Sequence, residues 1–356
     1  MTALRLCTAF AVVIVGAPSP SFAAPAAALA PPLSAPAGAG PSQRSHLVVI
    51  VGAAGDPVYE EVFHNWAVQL VEAATQQLGM APDQVTYLGP NPELYPDTVN
   101  AKSSRENVEQ TLSRLADESS PDDRIFIVLI GHGSGEGEQS KFNIPGRDIS
   151  AVQYDAMLDR LVTQQVGFIN TASASGDFTT VLAAPNRVIV TATRDARQNN
   201  QTVFPRFFVE ALAADVADLD KDGRISLLEA YQYASREVKR FYEDDGRMLT
   251  ETSLLEDNGD GEGSHDPTGG EVDGSLARLM FFDDPMRANS TEAGPMADDA
   301  EMRQMYEDQR RLRVRIEELK ELKGTMDPEL YAAELEDLLI ALARQDAEIR
   351  ARGGRR

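Results

Sequence analysis

Short runs of consecutive apolar residues alternate along this chain with longer segments whose apolar residues recur every three or four positions. An uninterrupted run rich in Val and Ile is typical of a strand in a parallel sheet, because helices cover both faces of such a strand. Strands are predicted over His46–Gly52, Gln84–Leu88, Arg124–Ile130, Gln165–Asn170 and Arg187–Ala192, with a final strand over Leu276–Phe282.

The segments between these strands carry helix signals. After the first strand, apolar residues stand at helical spacing at Tyr59, Phe63, Trp66, Leu70 and Ala73. Ser103 and Glu106 form a capping-box pattern, which predicts a helix that runs through Leu115. Further helices are predicted over Ala151–Leu161, Phe204–Asp215 and Ser226–Tyr242. This alternation predicts an α/β fold over residues 44–285, a three-layer sandwich with a mostly parallel sheet.

The C-terminal region has a different pattern, with two heptad seams. The first is Met302, Met305, Gln309, Leu312, Ile316 and Leu319, and the second is Tyr331, Leu335, Leu338, Leu342, Gln345 and Ile349. Gly324 and Asp327-Pro328 separate them, so we expect an antiparallel helical hairpin over 298–352, after a linker at 286–297. The hairpin either braces its own domain or serves partner binding and self-association, since a single helix cannot bury its own apolar seam.

The N-terminal residues carry an export signal. Arg5, an apolar stretch from Leu6 to Val15 and the small-x-small site ending at Ala23 predict a signal peptide over 1–23. An uncharged Ala/Pro-rich linker follows over 24–43. We therefore expect an exported protein, periplasmic or secreted, without a transmembrane segment after cleavage.

The net charge and the cysteine content exclude some classes of function. The formal net charge is −23, which repels phosphate backbones and makes nucleic acid an unsuitable partner, while favouring cations such as calcium. The single cysteine, Cys7, lies inside the predicted signal peptide. The exported chain therefore contains no thiol that could form a disulfide, attack a substrate or ligate a metal.

Two candidate site segments follow predicted buried strands. Gly131-His132-Gly133 follows Arg124–Ile130, and a small-residue turn from Thr171 to Gly176 follows Gln165–Asn170. Both lie where open α/β folds place their sites, at the carboxyl edge of the sheet. The flanking glycines would let a ligand approach the His132 imidazole, and the amides of the small-residue turn could stabilise an oxyanion.

These two segments resemble the caspase/legumain clan of cysteine peptidases. Legumain-type members carry Glu-Ala-Cys-Glu-Ser-Gly where this chain has Thr171-Ala172-Ser173-Ala174-Ser175-Gly176. The resemblance places His132 on the catalytic histidine and Ser173 where the clan keeps its cysteine. It implies Gly133, Thr171, Ser175 and Arg194 as substrate-pocket or oxyanion residues. Further segments are similar to a bacterial exported subgroup of this clan: Val51–Tyr59 with Trp66, Thr191–Arg194 and Phe207–Leu212. The resemblance covers about residues 45–285.

The replacement of cysteine by Ser173 decides what the resemblance implies about activity. An imidazole readily ionises a thiol, but a serine hydroxyl needs a base within hydrogen-bond reach and usually a third group that orients that base. We therefore expect an inactive pseudo-peptidase that binds a peptide or protein partner. The alternatives are a hydrolase that uses Ser173 with His132 as base, and a calcium-stabilised envelope scaffold that acts through the helical tail.

An EF-hand pattern carries the calcium prediction. Asp218-x-Asp220-x-Asp222-Gly223-Arg224-Ile225-Ser226-x-x-Glu229 has a ligand at every diagnostic position. The expected ligands are the side chains of Asp218, Asp220, Asp222, Ser226 and Glu229 and the carbonyl of Arg224. Flanking helices complete an EF-hand-type helix–loop–helix insertion, in which we expect Ca²⁺ to be structural.

A second acidic loop, Asp257–Ser264, has similar chemistry. If this loop begins at Glu256, Pro267 stands where the closing Glu of an EF-hand would fall. We therefore expect a solvated loop here rather than a complete ion site.

Overall fold

The computed structural model of the chain describes residues 43–161, 164–214, 216–219, 224–267, 272–283 and 326–353, together with single positions between 305 and 319. The predicted signal peptide, the first linker up to residue 42 and the second linker lie outside the described residues. So do Asp220 and Asp222 of the EF-hand pattern.

A seven-stranded sheet forms the centre of the fold. In chain order its strands are β1 (Ser45–Val51), β2 (Val85–Gly89), β3 (Ala101–Lys102), β4 (Arg124–Ile130), β8 (Gln165–Asn170), β9 (Arg187–Thr191) and β10 (Leu254–Glu256). Their order across the sheet is β10-β9-β8-β4-β1-β2-β3, and every neighbouring pair is parallel except β10 with β9. A small antiparallel ribbon is made of β5 (Gly133–Ser134), β6 (Lys141–Phe142) and β7 (Ile149–Ser150).

Helices cover both faces of the sheet. They are α1 (Pro57–Glu72), α2 (Arg105–Glu118), α3 (Ala151–Leu158), α4 (Phe178–Leu182), α5 (Phe204–Ala213) and α6 (Leu227–Asp244), and a π-helical turn (Ala73–Gln77) extends α1. Short 3₁₀ turns occur at Pro82–Gln84, Gly137–Gln139 and Ala277–Leu279, and the C-terminal helix spans Pro328–Gly353. None of the helices in the described part of the chain has the length and apolar character of a membrane span.

Alternating side chains divide the core into two layers. Leu47 and Val49 of β1 pack with α1, α5 and α6, whereas Val48 and Ile50 pack with α2, α3 and α4. Successive residues of a strand point to opposite faces, so a strand that is apolar throughout is buried on both sides. The predicted α/β class with a mostly parallel sheet is confirmed.

The predicted strand over Leu276–Phe282 is wrong. Residues Ala277–Leu279 form a 3₁₀ turn instead, and Phe281 contributes only an isolated bridge to Ser226. The Asp257 carboxylate accepts hydrogen bonds from the backbone amides of Gly274 and Ala277, at 2.8 Å each. These bonds hold the segment in a turn, which the apolar residues alone could not indicate.

Helix boundaries also differ from the prediction. Ser104, not Ser103, caps α2: its hydroxyl accepts from the amide of Asn107 at 3.3 Å. Ser103 is still extended, because its amide donates to the carbonyl of Gly89 at the end of β2. Helix α2 continues to Glu118, and α5 ends at Ala213, two residues earlier than predicted.

The C-terminal helix presents its predicted seam on its less exposed side. Tyr331, Leu335, Leu338, Leu342 and Gln345 are half-buried, and the earlier seam residues Ile316 and Leu319 are buried. Two contacts join the helix to preceding residues: Gln345 Nε2 donates to Met305 O at 2.8 Å, and Arg315 Nη2 lies 3.4 Å from Glu334 Oε1. Met302 and Gln309 lie outside the described residues.

The aromatic packing under β8 gives a test of the core. Phe168 is fully buried between Tyr154 and Phe178, so Phe168→Ala leaves a cavity and is expected to lower the free energy of unfolding by about 3–5 kcal/mol. The matched control is Val152→Ala, at an exposed position of α3, which should change that free energy by no more than about 0.5 kcal/mol. Chemical denaturation of both variants checks this, and equal losses would contradict the assigned core.

Candidate functional site

The direction of the chain reverses across the sheet between β1 and β4. From β1 the chain moves outward through β2 and β3, then returns to β4 on the other side of β1 and continues to β8 and β9. Open α/β folds bind ligands outside the carboxyl ends of their strands at such a switch point. The loops after β1, β4 and β8 therefore form the candidate site, and they carry Ala54, His132 and Ser173.

Two glycines let the first two loops meet under one aromatic ring. A Cβ at Gly52 would lie 2.4 Å from the carbonyl oxygen of Asn143, and a Cβ at Gly131 would lie 3.1 Å from the Phe142 ring. The ribbon that carries Phe142 is tied to both loops, because Asn143 N donates to His132 O and Ala53 N donates to Asn143 O, each at 2.9 Å. These contacts fix the backbone on either side of the candidate histidine.

The His132 imidazole is packed against α1. The rings of Tyr59 and Phe63 lie edge-on to it, each with a centroid distance of 5.2 Å. Burial lowers the pKa of His132 below its ordinary value, while a hydrogen bond with the backbone of Ala54 opposes the shift. The packing therefore disfavours the charged imidazolium form. No carboxylate among the described residues forms an ion pair or hydrogen bond with this ring.

Ser173 lies inside the fold with its hydroxyl already engaged. The residue is 2% exposed, and its Oγ accepts a hydrogen bond from the amide of Gly133 at 3.4 Å. A Cβ at Gly133 would lie 2.3 Å from the Ser173 carbonyl oxygen, so only glycine allows this approach. The structure thus brings Ser173 and the predicted oxyanion residue Gly133 together. No hydrogen bond joins the described Ser173 hydroxyl and His132 ring.

The turn after Ser173 has a backbone conformation that is uncommon for a residue with a side chain. Ala174 has φ +49°, in the left-handed region, and its amide donates to the carbonyl of Gln198 at 2.9 Å. Gln198 also accepts from the amides of Arg194 and Thr252 through its Oε1. The loop after β9 therefore holds the Ser173 turn in place, and strained backbone of this kind is common at functional sites.

Thr171 and Ser175, predicted as pocket residues, have buried hydroxyls. Thr171 is 1% exposed, and its Oγ1 donates to the carbonyl of Leu129 at 2.6 Å. Ser175 is also 1% exposed; its amide donates to Thr193 Oγ1 at 2.7 Å, and the two hydroxyls lie 3.1 Å apart. The Thr171 side chain is thus bonded to strand β4, and the Ser175 side chain to the loop after β9. Their assignment to a substrate pocket stays a prediction.

Arg194 differs from the other predicted pocket residues because its side chain reaches solvent. The side chain is 58% exposed, and its Nε lies 3.6 Å from Asp195 Oδ2. Its backbone forms the wall behind the small-residue turn: a Cβ at Gly176 would lie 2.1 Å from the Arg194 carbonyl carbon. Arg194 is therefore an exposed cation beside the small-residue turn, and its assignment to a substrate pocket stays a prediction.

The described half of the EF-hand pattern is organised around Glu229, which is 8% exposed. Its Oε1 accepts from the amide of Leu219 at 2.9 Å, and its Oε2 accepts from the amide and hydroxyl of Ser226. Ser226 caps α6 in return, because its hydroxyl accepts from the Glu229 amide. The carboxylate is thus turned back toward the start of the loop, where it contacts the amide of Leu219.

The C-terminal end of the same loop forms backbone hydrogen bonds with residues 280–282. Leu227 N donates to Met280 O at 2.7 Å, and Phe282 N donates to Ile225 O at 3.3 Å. The Arg224 guanidinium stacks on the Phe281 ring at 3.6 Å and forms a bidentate ion pair with Asp283. Within the described residues no three His, Cys, Asp or Glu side chains converge as a metal site. The calcium ligands therefore stay a prediction.

Sequence reasoning did not assign four residues that contact the site in the structure. They are Tyr59, Phe63, Thr193 and Gln198. Phe63 carried only a helix signal, and Tyr59 and Thr193 lay in segments of the family resemblance that gave them no site role. Thr193 and Gln198 act through hydrogen bonds to another loop. Such partners leave no local sequence pattern.

No protein-family model and no curated protein matches this chain. Among solved structures, protein GSU0716 from Geobacter sulfurreducens aligns with a TM-score of 0.39 and 11% identity, over 55% of this chain and 89% of that chain. The Drosophila initiator caspase Dronc aligns with a TM-score of 0.38 and 14% identity, over 62% of this chain and 81% of that chain. Caspase-1 from Spodoptera frugiperda aligns with a TM-score of 0.39 and 11% identity, over 61% of this chain and 87% of that chain. These similarities are too low to assign the chain to a family.

The packing around His132 gives a pH prediction. Tyr59→Ala opens the imidazole to water, so the His132 pKa should rise from its lowered value toward 6.5. NMR titration of the ring proton, assigned with His132→Gln, measures this, and Val58→Ala at the exposed neighbouring position should leave the pKa unchanged.

Because the folded-state pKa of His132 lies below the unfolded-state pKa, the contribution of His132 to stability is present above about pH 6.5 and lost as pH falls through the folded-state pKa. A His132 pKa at or above 6.5 in the unmodified protein would refute this.

Proposed function

We propose that this chain is an exported, catalytically inactive relative of the caspase/legumain clan that binds a peptide or protein partner at the carboxyl edge of its sheet. The sequence resemblance around His132 and Ser173 supports the relationship, as does the placement of both residues on neighbouring loops at the switch point. Export rests on the signal-peptide pattern over 1–23.

The state of the Ser173 hydroxyl is the observation that carries the loss of activity. An attacking atom must reach the substrate carbonyl and pass its proton to a base within hydrogen-bond distance. The Ser173 Oγ is buried, and no hydrogen bond joins it to the described His132 ring; it accepts a long hydrogen bond of 3.4 Å from the Gly133 amide. The resemblance assigns that amide to the oxyanion. The Gly133 amide therefore faces the Ser173 oxygen instead of an open oxyanion position.

The surroundings of His132 support the same conclusion. A serine hydrolase orients its histidine with a carboxylate, which also stabilises the imidazolium formed during catalysis. His132 instead contacts the backbone of Ala54 and two aromatic rings, and this apolar packing disfavours its charged form. The neutral imidazole and exposed Arg194 can still contribute hydrogen bonds and charge to a bound peptide.

The activity prediction uses Ser173→Ala. We expect neither the unmodified chain nor this variant to react with a fluorophosphonate probe or to cleave a diverse peptide library, because the hydroxyl is buried away from the base. Mass spectrometry of the protein and of the library measures both reactions. Labelling or cleavage that disappears in Ser173→Ala would show that the chain is a serine hydrolase.

Binding is tested with the same library on the immobilised chain. Arg194→Ala should reduce peptide retention by about tenfold, if removing the site cation costs about 1.4 kcal/mol. Arg197→Ala is the matched control, since Arg197 is 84% exposed and pairs with the same Asp195. Equal retention by both variants would place the binding site elsewhere.

We further propose that the loop from Asp218 to Glu229 binds Ca²⁺. Oxygen donors at alternating positions are the ligand set that calcium prefers, and the described part fits it: Glu229 is buried and turned toward the start of the loop, and Ile225 is buried in the core. The pairing of Ile225 and Leu227 with residues 280–282 connects the loop to the domain. These contacts favour a structural ion over a sensor.

Calcium should raise the melting temperature of the full chain, because an ion that binds only the folded state contributes about 2.7 kcal/mol at a hundredfold excess over its dissociation constant. Glu229→Gln removes one carboxylate oxygen and should lose the larger part of this stabilisation. The matched control Glu243→Gln alters an exposed residue at the far end of the same helix. Scanning calorimetry with calcium or with EDTA compares them, and an unchanged calcium response in Glu229→Gln would remove Glu229 from the ligand set.

The helical tail supports a further role in partner binding. The contacts 305 to 345 and 315 to 334 have the reversed order that an antiparallel hairpin requires. We propose that the segment 298–352 forms this hairpin and that it provides the surface for self-association or for an envelope partner.

A further inference from the structure

A second acidic cluster lies at the end of β10, on the opposite edge of the sheet from β3. It contains Glu256, Asp257 and Asp260, which are close in sequence, and Asp273, which returns to them from later in the chain. Asp273 is 2% exposed, and its carboxylate accepts from the amides of Asp257 at 3.1 Å and Ser264 at 3.0 Å. The later segment thus places a carboxylate directly on the acidic loop.

One oxygen of this cluster has no partner. Glu256 is fully buried, with an exposure of 0%, and its Oε1 accepts from the amides of Gly259 at 2.6 Å and Gly261 at 3.5 Å. Its Oε2 is also shielded from solvent, yet it makes no hydrogen bond. A buried carboxylate oxygen without a partner costs several kcal/mol, so it is normally neutralised or bound to a cation.

The charges around Glu256 increase this cost. Asp260 and Asp273 are close enough to Glu256 to repel its negative charge. Asp257 and Asp260 likewise repel the charge of Asp273. In the part of the chain that the structure describes, no Lys, Arg or His side chain forms an ion pair with these four carboxylates. Like charges are therefore held together without a compensating cation from those residues.

The loop also has the conformation of the first half of a calcium loop. Counted from Glu256, oxygen-bearing side chains occupy the first, third and fifth positions at Glu256, Asn258 and Asp260, and a glycine follows at the sixth. That glycine, Gly261, has φ +78°, which provides the sharp turn the sixth position requires. Pro267 occupies the twelfth position, but Asp273 lies against the loop in space.

We propose that Glu256, Asn258, Asp260 and Asp273, with the carbonyl of Glu262, form a second calcium site in which Asp273 supplies the closing carboxylate. The site is independent of the loop from Asp218 to Glu229. Three acidic side chains do not yet converge on one point among the described residues, so binding turns Asp260 or Asp273 toward Glu256 Oε2. All donors are oxygens, and they come from two separate segments in an irregular arrangement, which suits calcium better than the smaller and more rigidly coordinated magnesium.

An ion at this position would secure the loop against α4. Thr180 Oγ1 of α4 donates to Gly261 O at 2.9 Å, and a Cβ at Gly263 would lie 3.1 Å from the Thr179 side chain. Helix α4 begins at Phe178, directly after the turn that carries Ser173 and Gly176. Calcium at the second site therefore stabilises the packing beneath the candidate peptide site.

The test is the calcium stoichiometry of the full chain, measured by equilibrium dialysis at about 1 mM free calcium, the upper end of the affinity range of extracellular modules. We expect two ions in the unmodified chain, one in Glu256→Gln and one in Asp260→Asn, whose exposed side chain can be changed without disturbing the core. Glu262→Gln is the matched control, because it removes the same charge from an exposed side chain of the same loop and should still bind two ions.

Glu229→Gln separates this site from the other loop. One ion in Glu229→Gln and none in Glu229→Gln/Glu256→Gln would support both sites. Loss of an ion in Glu256→Gln but not in Glu229→Gln would support the second site and refute the first.

Melting in EDTA shows whether Glu256→Gln still folds. The variant should be at least as stable as the unmodified chain there, because its amide group can donate to Asp273, while its stabilisation by calcium should fall. If Glu256→Gln and Asp260→Asn both keep the stoichiometry of the unmodified chain, the proposal is overturned, and Oε2 of Glu256 is then simply protonated.

Discussion

The loops at the carboxyl edge of the sheet meet through direct backbone contact, and the rest of the site depends on it. Gly133 lies against the carbonyl of Ser173, and Gly176 lies against the carbonyl of Arg194, at distances that any Cβ would violate. The strands behind these loops are buried on both faces, so the loops cannot move apart without disturbing the core. The positions of His132 and Ser173 therefore follow from packing rather than from any bond between the two side chains.

The same close contact limits the chemistry. Where the β4 and β8 loops touch, Ser173 lies beside Gly133, and its hydroxyl oxygen accepts from the amide that the family resemblance assigns to the oxyanion. A thiolate at this position would be larger and charged, and a nearby imidazole could stabilise it. A hydroxyl is smaller and neutral. A binding function is compatible with this arrangement, because it requires only an accessible rim, which Arg194 provides.

Negative charge is the second constraint on this molecule. A chain with a net charge of −23 that buries Glu229, Glu256 and Asp273 must neutralise those carboxylates locally. Glu251 shows one solution, since its carboxylate accepts from the amides of Val203 and Phe204 at the start of α5 and from the hydroxyl of Tyr242. Glu229 is likewise surrounded by donors. Glu256 differs, because one of its oxygens lacks such a donor.

The local pattern of the chain was sufficient to predict the layered α/β class, the strands β1, β4, β8 and β9 and the turn positions of His132 and Ser173, because burial on both faces leaves an uninterrupted apolar run. It could not predict β5 to β7, which are two residues each, or the turn at Ala277, which Asp257 holds from twenty positions away. Only the tertiary structure decided that the hydroxyls of Thr171 and Ser175 face inward and that Asp273 reaches the amides of Asp257 and Ser264. The spacing of apolar residues indicates which face of a helix or strand is buried. Hydrogen-bond partners depend instead on which loops the folded sheet brings together, and those loops are distant in sequence.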